Sequence, residues 1–339
     1  MSDPADSIRS VLVTGASGFV GSEVCTTLVA AGLTVHGLTR HPGRDLVAGV
    51  TPRFAADLSE TTALKAAMRD VDAVVHLAAR AHITRERESD AETLFHRTNV
   101  EGTRSVFDAA VAVGVRRFIF ASSLKVMGDY QGRPWTEEDP PSPVDAYGRS
   151  KLAAENVLVR SGPSSDVEIG ILRLPLAYGP GVRANMLQLF ELVDRGIPLP
   201  FADIRNRRTI VFSRNAADAV LELLRIPSLT REVFFVGDAE ALSTEALIRG
   251  IGTALGRPPR LFHLPQRILI GIAKVGDLAE YLLPSPLTSS TLERLTGSLE
   301  CSTSKLQAAT GYRPRWSTEM GLKITADWYA MHRRQPSRA

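Results

Sequence analysis

The sequence predicts an α/β protein, a doubly wound parallel sheet joined to a smaller, mostly helical C-terminal substrate domain. Three observations carry that prediction. Short β-branched runs alternate with longer helical patterns through the first half of the chain. Several of these runs are continuously apolar, the pattern of strands covered on both faces. A glycine-rich turn, TGASGFVG over Thr14–Gly21, separates the first run from the first helical stretch, where the Rossmann-type form of this fold keeps its nucleotide loop.

The first strand is read at Ser10–Thr14 and the helix after it at Val20–Ala31. Further strands are read at Val35–Thr39, Arg53–Asp57, Ala73–Ala78, Phe118–Ser122 and Glu168–Leu174, with a long helix over Thr98–Val113. Strands separated by helices require crossover connections and pair in parallel. After Pro175 the rhythm changes. Pro and Gly punctuate the chain at Tyr178–Gly181 and Gly196–Pro200, and helices dominate, as at Met186–Asp194 and Asn215–Leu224. One more apolar run, Val233–Val236, is read as a strand that rejoins the sheet. This places a nucleotide-binding domain over 8–175, with 208–238 returning to it. A substrate domain then takes 176–207 and 239–332.

A chain of 339 residues exceeds the roughly 250–300 that one hydrophobic core supports, in keeping with one large and one smaller unit. Lys and Arg are scattered and the net charge is +3, so no nucleic-acid partner is expected, since that needs a basic stripe. Cys25 and Cys301 are the only cysteines, so neither a disulfide framework nor a metal site is expected. Residues 1–10 carry acids and Pro4 and lack the apolar core of a signal peptide. The longest apolar stretch, Ile268–Val275, is interrupted by Lys274 and falls short of the roughly 18 residues of a membrane span. A cytoplasmic protein with no membrane partner is expected.

In the glycine turn, Gly15 permits a tight turn, Gly18 lets the backbone approach a pyrophosphate, and Gly21 allows close helix–strand packing. The helix that follows offers free N–H groups to phosphate. An acid at the end of the second strand would hold the adenosine ribose, but the chain reads Leu38, Thr39, Arg40 there. A guanidinium at that place pairs with a 2′-phosphate, so NAD(P) is the expected cofactor, with NADP(H) favoured over NAD.

Tyr147 and Lys151, four apart in YGRSK, share one helix face. An adjacent ammonium is expected to lower the phenol pKa and make Tyr147 a proton shuttle for an alcohol or ketone. Ser123, at the end of a strand, can hydrogen-bond the same substrate oxygen.

With these motifs in order, the chain resembles the extended short-chain dehydrogenase/reductase superfamily, in the NAD-dependent epimerase/dehydratase family and its UDP-glucose 4-epimerase branch. The resemblance spans nearly the whole chain: TGASGFVG, Asp57–Leu58, HLAA at His76–Ala79, NVEGT at Asn99–Thr103, SSLKVMG at Ser122–Gly128, YGRSK, and LRLPLAYGPG at Leu172–Gly181. It implies catalytic roles for Ser123, Tyr147 and Lys151. It implies a cofactor lined by Gly15, Ser17, Gly18, Phe19, Val20, Gly21, Asp57, Leu58, Leu77, Ala78, Ala79, Arg80, Asn99, Ala121 and Pro175, with Tyr147 and Lys151 also touching it. For a UDP-linked sugar it implies contacts from Lys125, Asn185, Arg208 and Arg294, and it implies a homodimer.

Dehydratases of this superfamily carry an Asp-Glu pair after the catalytic hydroxyl. Here Leu124 and Lys125 stand there, which argues against dehydration. Epimerases of the UDP-glucose type usually show Tyr where Met127 stands and Asn where Leu176 stands. The pattern is most similar to reductases of 4-keto-6-deoxy-hexosamine nucleotides, of the UDP-N-acetylquinovosamine dehydrogenase type. The expected reaction is therefore C4 reduction of a UDP-4-keto sugar, the alternative a UDP-hexose 4-epimerase. A third reading, a non-catalytic NAD(P)-sensing protein, is disfavoured because such proteins commonly lose the Tyr or the Lys.

Overall fold

The computed structural model describes residues 7–43, 45–81, 88–129, 132–161, 165–279 and 289–333. The strands in chain order are β1 (Ser10–Thr14), β2 (Thr34–Thr39), β3 (Val50–Phe54), β4 (Ala73–His76), β5 (Arg117–Ser123), β6 (Glu168–Leu174), β7 (Leu176–Tyr178), β8 (Ile210–Phe212) and β9 (Glu232–Phe235). Seven of them form one sheet in the order β3-β2-β1-β4-β5-β6-β9, with every pairing parallel. β7 and β8 form a separate two-stranded parallel sheet.

Residue alternation in β1 sorts the two faces. Val11 and Val13 point to a core shared with α1 (Phe19–Ala30) and α7 (Ser213–Arg225). Leu12 points to the opposite core, with α2 (Thr61–Ala67), α4 (Gly102–Ala112) and α5 (Ala146–Ser161). α3 (Glu88–Phe95) lies before α4 in the chain. Side chains burying into two helical layers explain why these strands read as continuous apolar runs. A third core gathers α6 (Ala184–Asp194), α8 (Thr244–Leu255), α9 (Gln266–Ala279), α10 (Ser289–Thr296) and α12 (Thr318–Arg333) around Tyr178 and Phe212. α11 (Ser304–Thr310) adds Leu306 to the first core. Among the described residues no helix is long and apolar enough to cross a membrane.

The strand that rejoins the sheet does so beside β6, one residue earlier than expected. Other differences have local causes. β3 begins three residues before the expected start. It is an edge strand with Pro52 and mostly exposed side chains, so it lacks the apolar run of its neighbours, and proline is tolerated at an edge. β4 stops at His76, not Ala78, leaving Leu77–Arg80 as loop. The helix expected from Thr98 opens with a π-helical stretch, His96–Glu101, before α4. Such wide turns often mark functional sites. β7 and β8, at three residues each, are too short to show a period.

Candidate active site

In a parallel sheet the C-terminal ends of all strands lie on one edge. The chain leaves β1 toward β2 and β3, then returns to place β4 on the other side of β1. The two loops diverge there and open a crevice, the place where such sheets bind ligands. The glycine turn follows β1, Arg40 follows β2, Leu77–Arg80 follow β4, Ser123 ends β5 and Pro175 follows β6.

The glycine turn has the shape of a phosphate cradle. Gly15 adopts φ +70°, and a Cβ there would lie 2.9 Å from the Ala78 nitrogen. A Cβ on Gly21 would lie 2.0 Å from the Gly15 carbonyl oxygen. Gly18 caps α1 without any side-chain hydrogen bond, so the first-turn N–H groups at Phe19 and Val20 face no capping side chain, as a pyrophosphate requires. Ser17 is half-buried in the turn. Phe19 packs against the third core and Val20 against the first, so the turn is braced from both halves of the chain. These residues fit a dinucleotide.

Beyond the ends of β2 and β3, Arg40 is exposed and Leu58 half-buried. The Ser59 hydroxyl and N–H hold the Asp57 carboxyl below its usual range, with Arg97 and Arg40 adding to the effect. Leu77 and Ala78 are half-buried, Ala79 is exposed and Pro175 is buried. Ala121 is half-buried in β5.

Beside the end of β5, Asp145 caps α5 by accepting from the Gly148 N–H at 2.7 Å. Gly148 is demanded by packing, since a Cβ there would meet the Lys125 carbonyl at 2.7 Å. This cap and contact set Tyr147 beside the end of β5, where its hydroxyl is hydrogen-bonded to Ser123. Ser123 also accepts from the Lys125 N–H at 3.3 Å, opening the 3-10 turn Leu124–Met127. Lys151 is 1% exposed, with its ammonium 4.0 Å from the Phe120 ring centroid.

The ionisation of this pair differs from the sequence expectation. Burial pushes the Tyr147 phenol up to about 12, opposed by its Ser123 hydrogen bond and reinforced by Asp145. Burial pulls Lys151 down to about 7, and the Glu155 charge pulls the other way. Desolvation is the dominant cause at both groups, and the ammonium rests over Phe120 instead of lowering the phenol. Tyr147 is therefore protonated at neutral pH.

Behind Ser123, Tyr147 and Lys151 runs a chain of buried hydroxyls. Thr14 Oγ1 lies 2.7 Å from His76 Nδ1, and His76 Nε2 lies 3.1 Å from Thr103 Oγ1. Thr103 donates to the Asn99 carbonyl at 2.6 Å, while Thr14 Oγ1 accepts from the Ala78 N–H at 3.1 Å. Thr103 must then accept from His76, so the ring carries its proton on Nε2 and takes the Thr14 hydroxyl proton at Nδ1. Burial, foremost, and the Lys151 charge lower His76 to about 3, which keeps the ring neutral. Asn99, in the π-helical stretch, accepts from the Arg80 N–H at 2.8 Å. Its amide donates to the Arg80 carbonyl at 3.0 Å and to Ser150 at 2.9 Å. Both donors are thus spent on protein, tying the β4 loop to α5.

Among the residues expected to meet a sugar nucleotide, Lys125 is ion-paired with Asp145 and lies 5.9 Å from the Tyr147 ring centroid. Asn185 is exposed in the first turn of α6. Arg208 is half-buried and donates to the Gly297 carbonyl at 2.9 Å. Arg294 falls in α10, and its side chain lies outside the described residues. Leu124 is buried, whereas Leu176 is 40% exposed at the start of β7.

Sequence reasoning passed over the groups behind the site. Arg173 interrupts the apolar strand EIGILRL, and His76 interrupts AVVHLA; a polar group inside a strand buried on both faces implies a buried partner. Glu155 continues the helical stripe of Tyr147 and Lys151 by one more turn.

The model of the NAD dependent epimerase/dehydratase family matches residues 11–237. The chain is similar to the UDP-glucose 4-epimerase of Vibrio cholerae, at 33% identity over 94% of both chains. Its fold is similar to that of the Thermus thermophilus UDP-glucose 4-epimerase in complex with NAD, with a TM-score of 0.73, 27% identity, and 94% and 98% of the two chains covered. It is also similar to MoeE5 in complex with UDP-glucuronic acid and NAD, with a TM-score of 0.74, 25% identity, and 96% and 100% covered.

Proposed function

The chain belongs to the NAD-dependent epimerase/dehydratase family, and from that membership we propose that it reduces the C4 ketone of a UDP-linked 4-keto-6-deoxy-hexosamine. The observation that carries this reading is Tyr147: desolvated, hydrogen-bonded to Ser123 and held protonated at neutral pH, it suits a group that gives a proton to a carbonyl oxygen. The bound nicotinamide would supply the hydride. Ser123 orients the carbonyl and Tyr147 delivers its proton there as negative charge develops. Lys151 would hold the nicotinamide ribose, a role that calls for its charged form. The glycine turn and the N-terminus of α1 take the pyrophosphate, and Arg40 favours NADP(H) by offering its guanidinium to a 2′-phosphate.

In this reading residues 8–175 with 208–238 carry the cofactor, and 176–207 with 239–332 carry the sugar nucleotide. Arg208, Asn185 and Arg294 serve the diphosphate and Lys125 the sugar. Buried Leu124 and ion-paired Lys125 supply no acid–base pair for dehydration. The exposed Leu176 offers an apolar contact where a polar residue would serve a 6-hydroxyl.

A second reading, UDP-hexose 4-epimerase, is favoured by the 33% identity to the Vibrio cholerae enzyme. The two differ in what happens to the cofactor. A reductase releases it oxidised, whereas an epimerase must retain it to return the hydride. Purified protein should be largely free of NAD(H) and should consume NADPH in proportion to the UDP-4-keto-6-deoxy sugar reduced. Tightly bound stoichiometric NAD, with interconversion of UDP-galactose and UDP-glucose, would overturn the reductase reading.

A further inference from the structure

Behind Lys151 lies a buried ion pair that the catalytic scheme does not use. Arg173 on β6 grips Glu155 on α5 with both arms, Nε to Oε1 at 3.0 Å and Nη2 to Oε2 at 2.7 Å. The two side chains are 5% and 4% exposed. The Ser122 hydroxyl donates to the same Glu155 oxygen, Oε1. The remaining Arg173 arm points at Met127 Sδ, 3.0 Å away, and the guanidinium lies 5.7 Å from the Phe235 ring centroid. Glu155 stands one helical turn beyond Lys151 on the same face of α5.

Such a pair is costly to bury, because both ions lose water, and that cost is offset only where geometry and further hydrogen bonds are good. Its position gives it an effect at Lys151. Tyr147 and Glu155 share the helix of that ammonium, neutral His76 faces it from β4, the Phe120 ring from β5, and Arg173 from β6 behind Glu155. Among these described groups only Glu155 offers it negative charge, and part of that charge is committed to Arg173. Ser122 fixes the carboxylate to the end of β5, adjacent to Ser123.

We propose that Glu155 and Arg173 are positioning residues that set the charge of Lys151 in opposite senses, Glu155 holding the ammonium charged and Arg173 limiting that hold. This deepens the proposed function and rests on the role given there to Lys151. Removing the carboxylate leaves a buried guanidinium facing a buried ammonium, so Lys151 loses its proton more readily. Removing the guanidinium frees the carboxylate for Lys151, which then keeps its proton to higher pH.

The test is a titration of the full-length protein, without cofactor or substrate, by NMR of 13C-labelled lysine ε-carbons, with K151M identifying the Lys151 resonance. Relative to the unmodified protein, E155Q should lower the Lys151 midpoint by about one pH unit or more, the scale of one nearby charge at a buried group. R173M should raise it, and E155Q/R173M, which removes both charges together, should return it toward the starting value. E155D keeps the charge and should stay near the starting value as well. Midpoints unchanged in both single variants, or moved in the same direction by both, would reject the proposal. Should E155Q fail to fold, R173M decides alone: an unmoved or lowered midpoint rejects it. Because the readout is a protonation state, it stands or falls separately from any assay of sugar reduction.

Discussion

The Lys151 ammonium lies 4.0 Å from the centroid of the Phe120 ring. Alternation along β5 turns Phe118 and Phe120 into the core under α5, and α5 lays Lys151 over that aromatic floor. A cation over a ring gains about 0.5–2 kcal/mol, less than the hydration it gives up. The lysine is therefore poised near neutrality, at about 7, and its charge answers to its neighbours.

Tyr147→Phe keeps the ring and its packing near Phe95, 5.8 Å away between centroids, while removing the donated proton. Turnover should fall by at least about 100-fold, the lower end for general acid catalysis. The urea unfolding midpoint should stay close to that of the unmodified protein. Near-normal kcat with NADPH and a UDP-4-keto sugar would sink the catalytic assignment.

Gly21→Ala places a methyl 2.0 Å from the Gly15 carbonyl oxygen, against backbone that cannot rotate away. The turn must open, at a cost of about 1–3 kcal/mol for overpacking, and cofactor affinity should drop with it. Fluorescence titration with NADPH, paired with urea unfolding, reads both effects. Unchanged affinity would show that the turn does not hold the pyrophosphate.

Arg40→Ala tests cofactor choice. If the guanidinium pairs with a 2′-phosphate, NADPH binding should weaken by about 1–2 kcal/mol, the order of a charge-assisted hydrogen bond. NADH binding should barely change. Calorimetric titration with each cofactor distinguishes this from equal losses, which would make Arg40 only a neighbour of the site.

His76 should remain neutral through the acidic range. Its folded pKa, about 3, lies below the roughly 6.5 of an unfolded chain. The unfolded chain therefore takes up a proton first as the pH falls. This group's contribution to stability is present above pH 6.5 and is lost progressively as the pH drops toward 3. In 15N-labelled protein the ring should show an Nε2–H tautomer with constant shifts from pH 8 down to acid unfolding. A His76 resonance titrating near pH 6.5 in folded protein would refute the buried hydroxyl chain.

The sequence alone determined the parallel sheet, the glycine turn and the Tyr147–Lys151 spacing, because each is local. An apolar run buried on both faces, a turn that only glycine can make and two residues one helical turn apart all follow from short-range sterics and periodicity. It also placed Arg40 at a strand end, since strand and loop alternate predictably there. What it did not determine depends on contacts between distant segments. The start of β3 lies on an exposed edge, with no apolar pattern to mark it. The pairing of β7 with β8 joins three-residue segments more than 30 positions apart. The ionisation of Tyr147 and Lys151 turned on how much water the assembled fold removes from them, and no spacing records that. The pairing of Glu155 with Arg173, and of His76 with Thr14 and Thr103, likewise exists only once β1, β4, β5 and β6 lie side by side beneath α4 and α5, where a polar group in an apolar strand finds the partner that makes its burial tolerable.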